Sequence, residues 1–162
     1  MFIGISAPIL GAIADTSGRR MPWIYVFSIM LIVGALGTWV GVPDGSNLTL
    51  MLYFFALGYI GTEFALIFTN AQLTTLGNQN EIGKISGSGF GFGYLGGVFA
   101  LAIALLFLVE QPNGTTFMLG IQPLFGFLNP ENMEGTRFVG PLAAVWFIVF
   151  AIPYFKNMKD DP

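Results

Sequence analysis

The chain has 162 residues, of which 54% are hydrophobic and 9% charged; its net charge is −3, and it has neither cysteine nor histidine. Soluble domains carry roughly 25% charged residues, so this composition excludes a water-soluble globular fold, and no nucleic-acid partner is read from its thin charge. Without Cys or His there is no disulfide, no thiol chemistry, and neither the commonest metal ligand nor the commonest proton relay, so no cofactor or metal site is expected.

Charge-free runs cover 21–43, 45–62, 64–80, 85–109, 111–130 and 138–155. Several reach the ~20 residues that cross ~30 Å of hydrocarbon as a helix. They predict an all-α, polytopic transmembrane bundle of about five helices, near 1–14, 22–42, 48–70, 86–109 and 138–155, with a cytoplasmic tail over 156–162. The N-terminus has no basic n-region and no small-residue cleavage site, so it does not read as a signal peptide. Residues 1–14 supply only ~21 Å of helix, which reads as the end of a span whose start is missing.

The turn after this element is Gly11-x-x-x-Asp15-x-x-Gly18-Arg19-Arg20. Gly18 tolerates the positive φ of a tight reversal, and Arg19 and Arg20 mark a cytoplasmic edge by the positive-inside rule. Pro22 stands where a missing N–H costs nothing, at the first turn of a new helix. The helix near 22–42 carries Trp23 and Trp39 at its two ends, where aromatic rings favour the interface. Its glycines at 34, 37 and 41 are spaced for close helix contact. Breaker residues at 43–46 then form a turn on the outer side.

The helix near 48–70 holds the one carboxylate deep inside an apolar run, Glu63. A charge there costs roughly 2.5–3.5 kcal/mol on insertion scales, so an intramembrane acid faces protein or a water-filled cavity. Tyr59, Thr62, Glu63, Thr69 and Asn70 fall at i, i+3, i+4, i+10 and i+11, a polar stripe along one side. The stripe makes these five residues candidates for lining a translocation path. A Glu63 hydrogen-bonded to a neighbouring helix is the structural alternative.

Residues 71–85 read as a polar cytoplasmic loop. Beyond it, Gly91-x-Gly93-x-x-Gly96 matches a dinucleotide fingerprint, but no strand precedes it and no acid follows about 20 residues on, so that reading is rejected. At helical spacing the glycines form two ladders, Gly83, Gly87 and Gly91, and Gly89, Gly93 and Gly97, beside Gly96. Ladders of this kind let helix backbones approach closely in lipid.

The region 110–137 has polar ends around an apolar stretch from Phe117 to Leu128, too short to span, which predicts an interfacial or re-entrant segment on the outer side. With it outside, Arg19, Arg20, Lys84, Lys156 and Lys159 share the cytoplasmic side and only Arg137 lies opposite. Asn47-x-Thr49 and Asn113-x-Thr115 are glycosylation sequons on the outer side.

The turn at 11–20 resembles the signature loop between the second and third helices of major facilitator superfamily transporters, and the chain resembles helices two to six of that family's N-terminal half. Within the superfamily it is most similar to the vacuole effluxer-like branch, through Phe68-Thr69-Asn70-Ala71, through Gly83-x-x-Ser86-Gly87 leading to Gly93-Tyr94-Leu95-Gly96-Gly97, and through Trp146-Phe147 with Ile152-Pro153. The resemblance implies a secondary active transporter of small solutes, amino acids among them, working by alternating access in a plasma, inner or vacuolar membrane. It implies partners in the lipid bilayer, in a missing first helix and C-terminal half, and in a small-molecule solute. The Asp15 carboxylate would latch against a helix N-terminus of that second half. A self-standing five-helix protein with a structural or assembly role is the alternative. An enzyme is not expected, since paired intramembrane acids, His and Cys are all lacking.

Overall fold

The computed structural model of the chain describes residues 2–160, without the side chains of a few of them, Asp15 and Gln79 included. Six helices follow in order: α1 (Phe2–Ser17), α2 (Met21–Gly37, continued by a 3-10 turn over Thr38–Val40), α3 (Leu48–Gln72), α4 (Gln79–Phe107), the single turn α5 (Glu134–Arg137) and α6 (Val139–Asn157). Four segments among the described residues are long and apolar enough to cross a membrane: Met21–Val40, Leu48–Gln72, Asn80–Phe107 and Glu134–Asn157. At 16 residues, α1 spans ~24 Å and falls short of a full crossing.

α2 and α3 form the tightest pair, running antiparallel. A Cβ added to Gly34 would lie 2.2 Å from the Gly58 nitrogen, and one added to Gly61 would lie 2.6 Å from the Leu31 nitrogen. The helices therefore touch backbone to backbone, which only glycine permits. Gly37 abuts the Phe54 ring and Gly41 abuts Met51, so the glycines of the second helix pack as their spacing predicts.

The core sits toward the end where α1 meets α2. Phe27 stacks on Phe64 at 4.7 Å and on Phe68 at 5.7 Å between ring centroids, and Trp23 covers Phe68 at 6.1 Å. Ala14, Met21 and Ile24 close this cluster, with Tyr154 and Phe155 of α6 packed against it.

Most boundaries shift by one to three residues from the sequence reading, α1 running on to Ser17, α3 to Gln72 and α6 to Asn157, and the largest departure is at α4. The helix expected from 86 starts seven residues earlier, at Gln79, so most of the expected 71–85 loop is helical. The cause is a capping box: the Asn78 side chain accepts from the backbone of Glu81, and the Asn78 N–H donates to the Glu81 carboxylate at 3.2 Å. The first turns of α4 thus stand as a polar, helical extension before the apolar run begins. At the other end α4 stops at Phe107, two residues short of the expected 109.

Candidate functional site

The end of the bundle that holds the turn at Gly18 is tied together by polar contacts. Gly18 has φ +63°, the left-handed reversal its position predicts. α2 starts directly after it, with Pro22 in the first turn and Arg20 at the cap position. An arginine side chain offers no acceptor to the first free N–H groups of a helix. Asp160 of the C-terminal tail supplies one. Its Oδ1 accepts from the N–H of Arg20 at 2.8 Å and of Met21 at 2.9 Å. A carboxylate is favoured at this positive helix end. The Arg20 guanidinium reaches across to donate to the Ala71 carbonyl, 2.9 Å away, near the C-terminal end of α3. Tyr154 of α6 donates its hydroxyl to the side-chain carbonyl of the buried Gln72. A cavity of about 140 Å³ lies here between Ala14, Gly18, Arg20, Gln72, Thr75, Lys159 and Asp160. The tail is therefore docked onto the turn. Asp15 lies on the last turn of α1, and its side chain is outside the described residues.

The polar stripe on α3 is not gathered around one space. Tyr59 and Thr62 line a cavity of about 580 Å³ between α2, α3 and α6. Thr69 lines a second, of about 630 Å³, ringed by α2, α3, α4 and α6, and also borders a third. Asn70 faces that third cavity, about 650 Å³, between α3 and the glycine side of α4. Glu63 is half-buried and lines none of these cavities. It sits on α3 about half a turn of the wheel from Gly61 and Phe68, the side that meets α2. Two hydroxyls of the stripe are satisfied along their own helix: Thr62 donates to the Gly58 carbonyl at 2.9 Å and Thr69 to that of Ala65 at 2.6 Å.

The glycines of α4 face open space. A Cβ at Gly83, Gly87, Gly89, Gly91, Gly93 or Gly97 would meet nothing within 4 Å, and one at Gly96 would meet only the Trp146 indole nitrogen at 3.8 Å. Gly89, Gly93 and Gly97 form one wall of the cavity that Asn70 faces. Close backbone packing within the chain is instead made by Gly34, Gly58 and Gly61, and at the other end by Gly135 and Gly140.

At that opposite end two side chains fix the loop between α4 and α6. The buried carboxylate of Glu110 accepts from the N–H of Gly135 at 2.6 Å, the N–H of Thr136 at 2.8 Å and the Thr136 hydroxyl at 2.5 Å. It thereby caps α5. Arg137 donates twice to the Trp39 carbonyl, at 3.0 and 2.7 Å, and its guanidinium stacks 4.6 Å from the Trp39 ring centroid. Neither Asp160 nor Glu110 stood out in the sequence. The signal for Asp160 was indirect: a helix opening on Arg20 lacks its own cap and needs an acceptor from elsewhere. Arg19, Arg20, Lys84, Lys156 and Lys159 fall toward the Gly18 end of the helices and Arg137 toward the other, in keeping with the expected alternation of the spans.

No family model matches the chain, and no solved structure does either. It is 25% identical over 160 residues to the uncharacterised MFS-type transporter YxiO of Bacillus subtilis (strain 168). That match covers 98% of this chain and 34% of the relative, so the chain spans about a third of the length of the protein it matches. With four apolar helices of spanning length, it is an integral membrane protein.

Proposed function

We propose that the chain is part of a secondary active transporter of the major facilitator type, close to the vacuole effluxer-like branch, that moves small solutes such as amino acids by alternating access. The observation that carries this reading is the end-to-end similarity to an MFS-type transporter, joined to a turn with the Gly-Asp-Gly-Arg-Arg spacing at 11–20. In this reading the turn and its docked tail lie on the cytoplasmic side, because five of the six basic residues gather at that end of the helices and basic residues favour the cytoplasmic side. Tyr59, Thr62, Glu63, Thr69 and Asn70 line or border the solute path once the rest of the transporter is in place. The open glycine side of α4 receives a helix from outside the chain, as a surface without side chains invites close approach. Glu63 couples proton movement to the solute or pairs with its amine. The protein carries a solute and performs no chemistry on it.

An uptake screen tests the proposal. The full-length product of the reading frame that encodes this chain is reconstituted in vesicles and offered labelled amino acids, with and without an imposed pH gradient. Saturable uptake above that of protein-free vesicles is expected. Its absence across the screen, from protein shown to be folded and inserted, contradicts the amino-acid assignment.

A further inference from the structure

We infer that the loop between α4 and α5 is a lipid-docking element that seats in the headgroup boundary of a bilayer and needs no anionic lipid to do so. After α4 the chain does not rise away from the membrane but folds back along it. The Phe117 N–H donates to the Val109 carbonyl at 3.1 Å and the Met118 N–H to the Leu105 carbonyl at 3.2 Å. Leu105 belongs to the last turn of a membrane-crossing helix, so this part of the loop lies beside that turn, at its depth. The Phe125 ring packs on Phe107 of the same turn, 5.8 Å between centroids. Trp39 and Arg137, stacked on each other at this end of the bundle, are the residue types that settle at the membrane–water boundary.

The loop is built to hold its apolar side chains outward. Thr116 and Pro123 are fully buried beneath it, and the Glu110 carboxylate anchors its far end to Gly135 and Thr136. Phe117, Met118, Leu119, Leu124, Phe125 and Phe127 are all exposed, Phe127 at 84% and Phe125 at 71%. Six large apolar side chains on one short segment are more than a water-facing loop carries without a partner.

Charge decides which partner. No charged residue occurs over 111–130. Arg137 is engaged on Trp39, and the other charged residues flanking this end of the bundle, Asp44, Glu110, Glu131 and Glu134, are acidic. Nothing on this surface attracts an anionic headgroup, so the attachment is by apolar burial alone. The exposed patch also continues, in depth, the exposed apolar side of α4 at Leu95 and Phe99, the side away from its glycine-lined cavity.

The chain has no cysteine, so one introduced cysteine carries one fluorophore. Phe127→Cys, labelled with nitrobenzoxadiazole, is compared with Asn132→Cys in phosphatidylcholine nanodiscs, where both faces are open to reagent. Residue 127 is so exposed that its replacement leaves the packing intact, and far-UV circular dichroism checks this. The probe at 127 is expected to emit at shorter wavelength, to be quenched by a spin label high on the acyl chain, and to resist bleaching by dithionite. The probe at 132 is expected to bleach at once. Adding phosphatidylglycerol is expected to change neither. Bleaching at 127 as fast as at 132 overturns the inference, since the loop then faces water. Protection at 127 from both dithionite and the lipid spin label overturns it too, because protein then covers the patch. Protection that appears only with phosphatidylglycerol removes the claim of indifference to lipid charge.

Discussion

Placing a methyl group on Gly34 tests the packing that organises the bundle. A Cβ there would lie 2.2 Å from the Gly58 nitrogen, 2.4 Å from its Cα and 2.6 Å from the Phe54 carbonyl oxygen. Ordinary contact starts at 3.4 Å, so α2 and α3 must part by about 1.2 Å. The atoms in the way are backbone and cannot rotate aside. Overpacking costs about 1–3 kcal/mol, and three backbone clashes put this site near ~3. The better helix propensity of alanine offsets ~1 of that. Gly34→Ala is therefore expected to destabilise the chain by about 2 kcal/mol. Gly91→Ala is the matched control. Nothing lies within 4 Å of a Cβ at Gly91, so only the propensity gain remains, up to ~1 kcal/mol of stabilisation. Both variants are unfolded in dodecyl maltoside micelles by titration with sodium dodecyl sulfate, followed by circular dichroism. Equal midpoints for the two variants would refute the backbone crossing of α2 and α3.

Glu110→Ala leaves the N–H groups of Gly135 and Thr136 without their acceptor; a loss of about 3 kcal/mol is expected, seen as proteolysis within 111–133 well before the four long helices unfold. Glu63→Gln keeps shape and removes ionisation; in the full-length protein it is expected to insert and fold normally but to lose uptake driven by a pH gradient, and an unchanged pH profile would leave Glu63 a structural residue. In the turn between α2 and α3, the Ser46 N–H and then its hydroxyl bond the Asp44 carboxylate and hold its pKa below the ordinary 3.8. A depressed pKa means the turn's stabilisation is complete above that ordinary value and fades as pH falls through the lowered one. An NMR titration of Asp44 is expected to show this, with Ser46→Ala moving the midpoint back up, and no movement would contradict the turn geometry.

How much of this could be read from residues alone varies with the range of the interaction. The four long helices were legible because apolar runs bounded by charge carry their own length signal. Gly18 and Pro22 were legible because turn chemistry is local. The start of α4 is set by the Asn78–Glu81 box, whose spacing is plain in the chain but lies seven residues ahead of the charge-free run that signals the span. The spacing of Gly34 marks it as a contact glycine, but nothing local marks Gly58, which it meets, or Gly61, which meets Leu31 and Phe27, since the register between two helices is set by packing rather than by either helix alone. The glycines of α4 have the strongest small-residue pattern and yet no close neighbour among the described residues, for the pattern says what a surface can accept and not where the acceptor comes from. Asp160 and Glu110 act on backbone N–H groups 139 and 25 residues away, a separation no spacing rule reaches.

Alternating access itself is tested most directly by counterflow. Vesicles holding the full-length protein are loaded with a high concentration of an unlabelled amino acid that the uptake screen identifies, then diluted into a trace of the same amino acid in labelled form. A carrier whose site faces one side at a time exchanges inner for outer solute, so the label is expected to rise inside well above its equilibrium level and then decay. Label that climbs monotonically to equilibrium, at a rate unaffected by the internal load, would contradict the account.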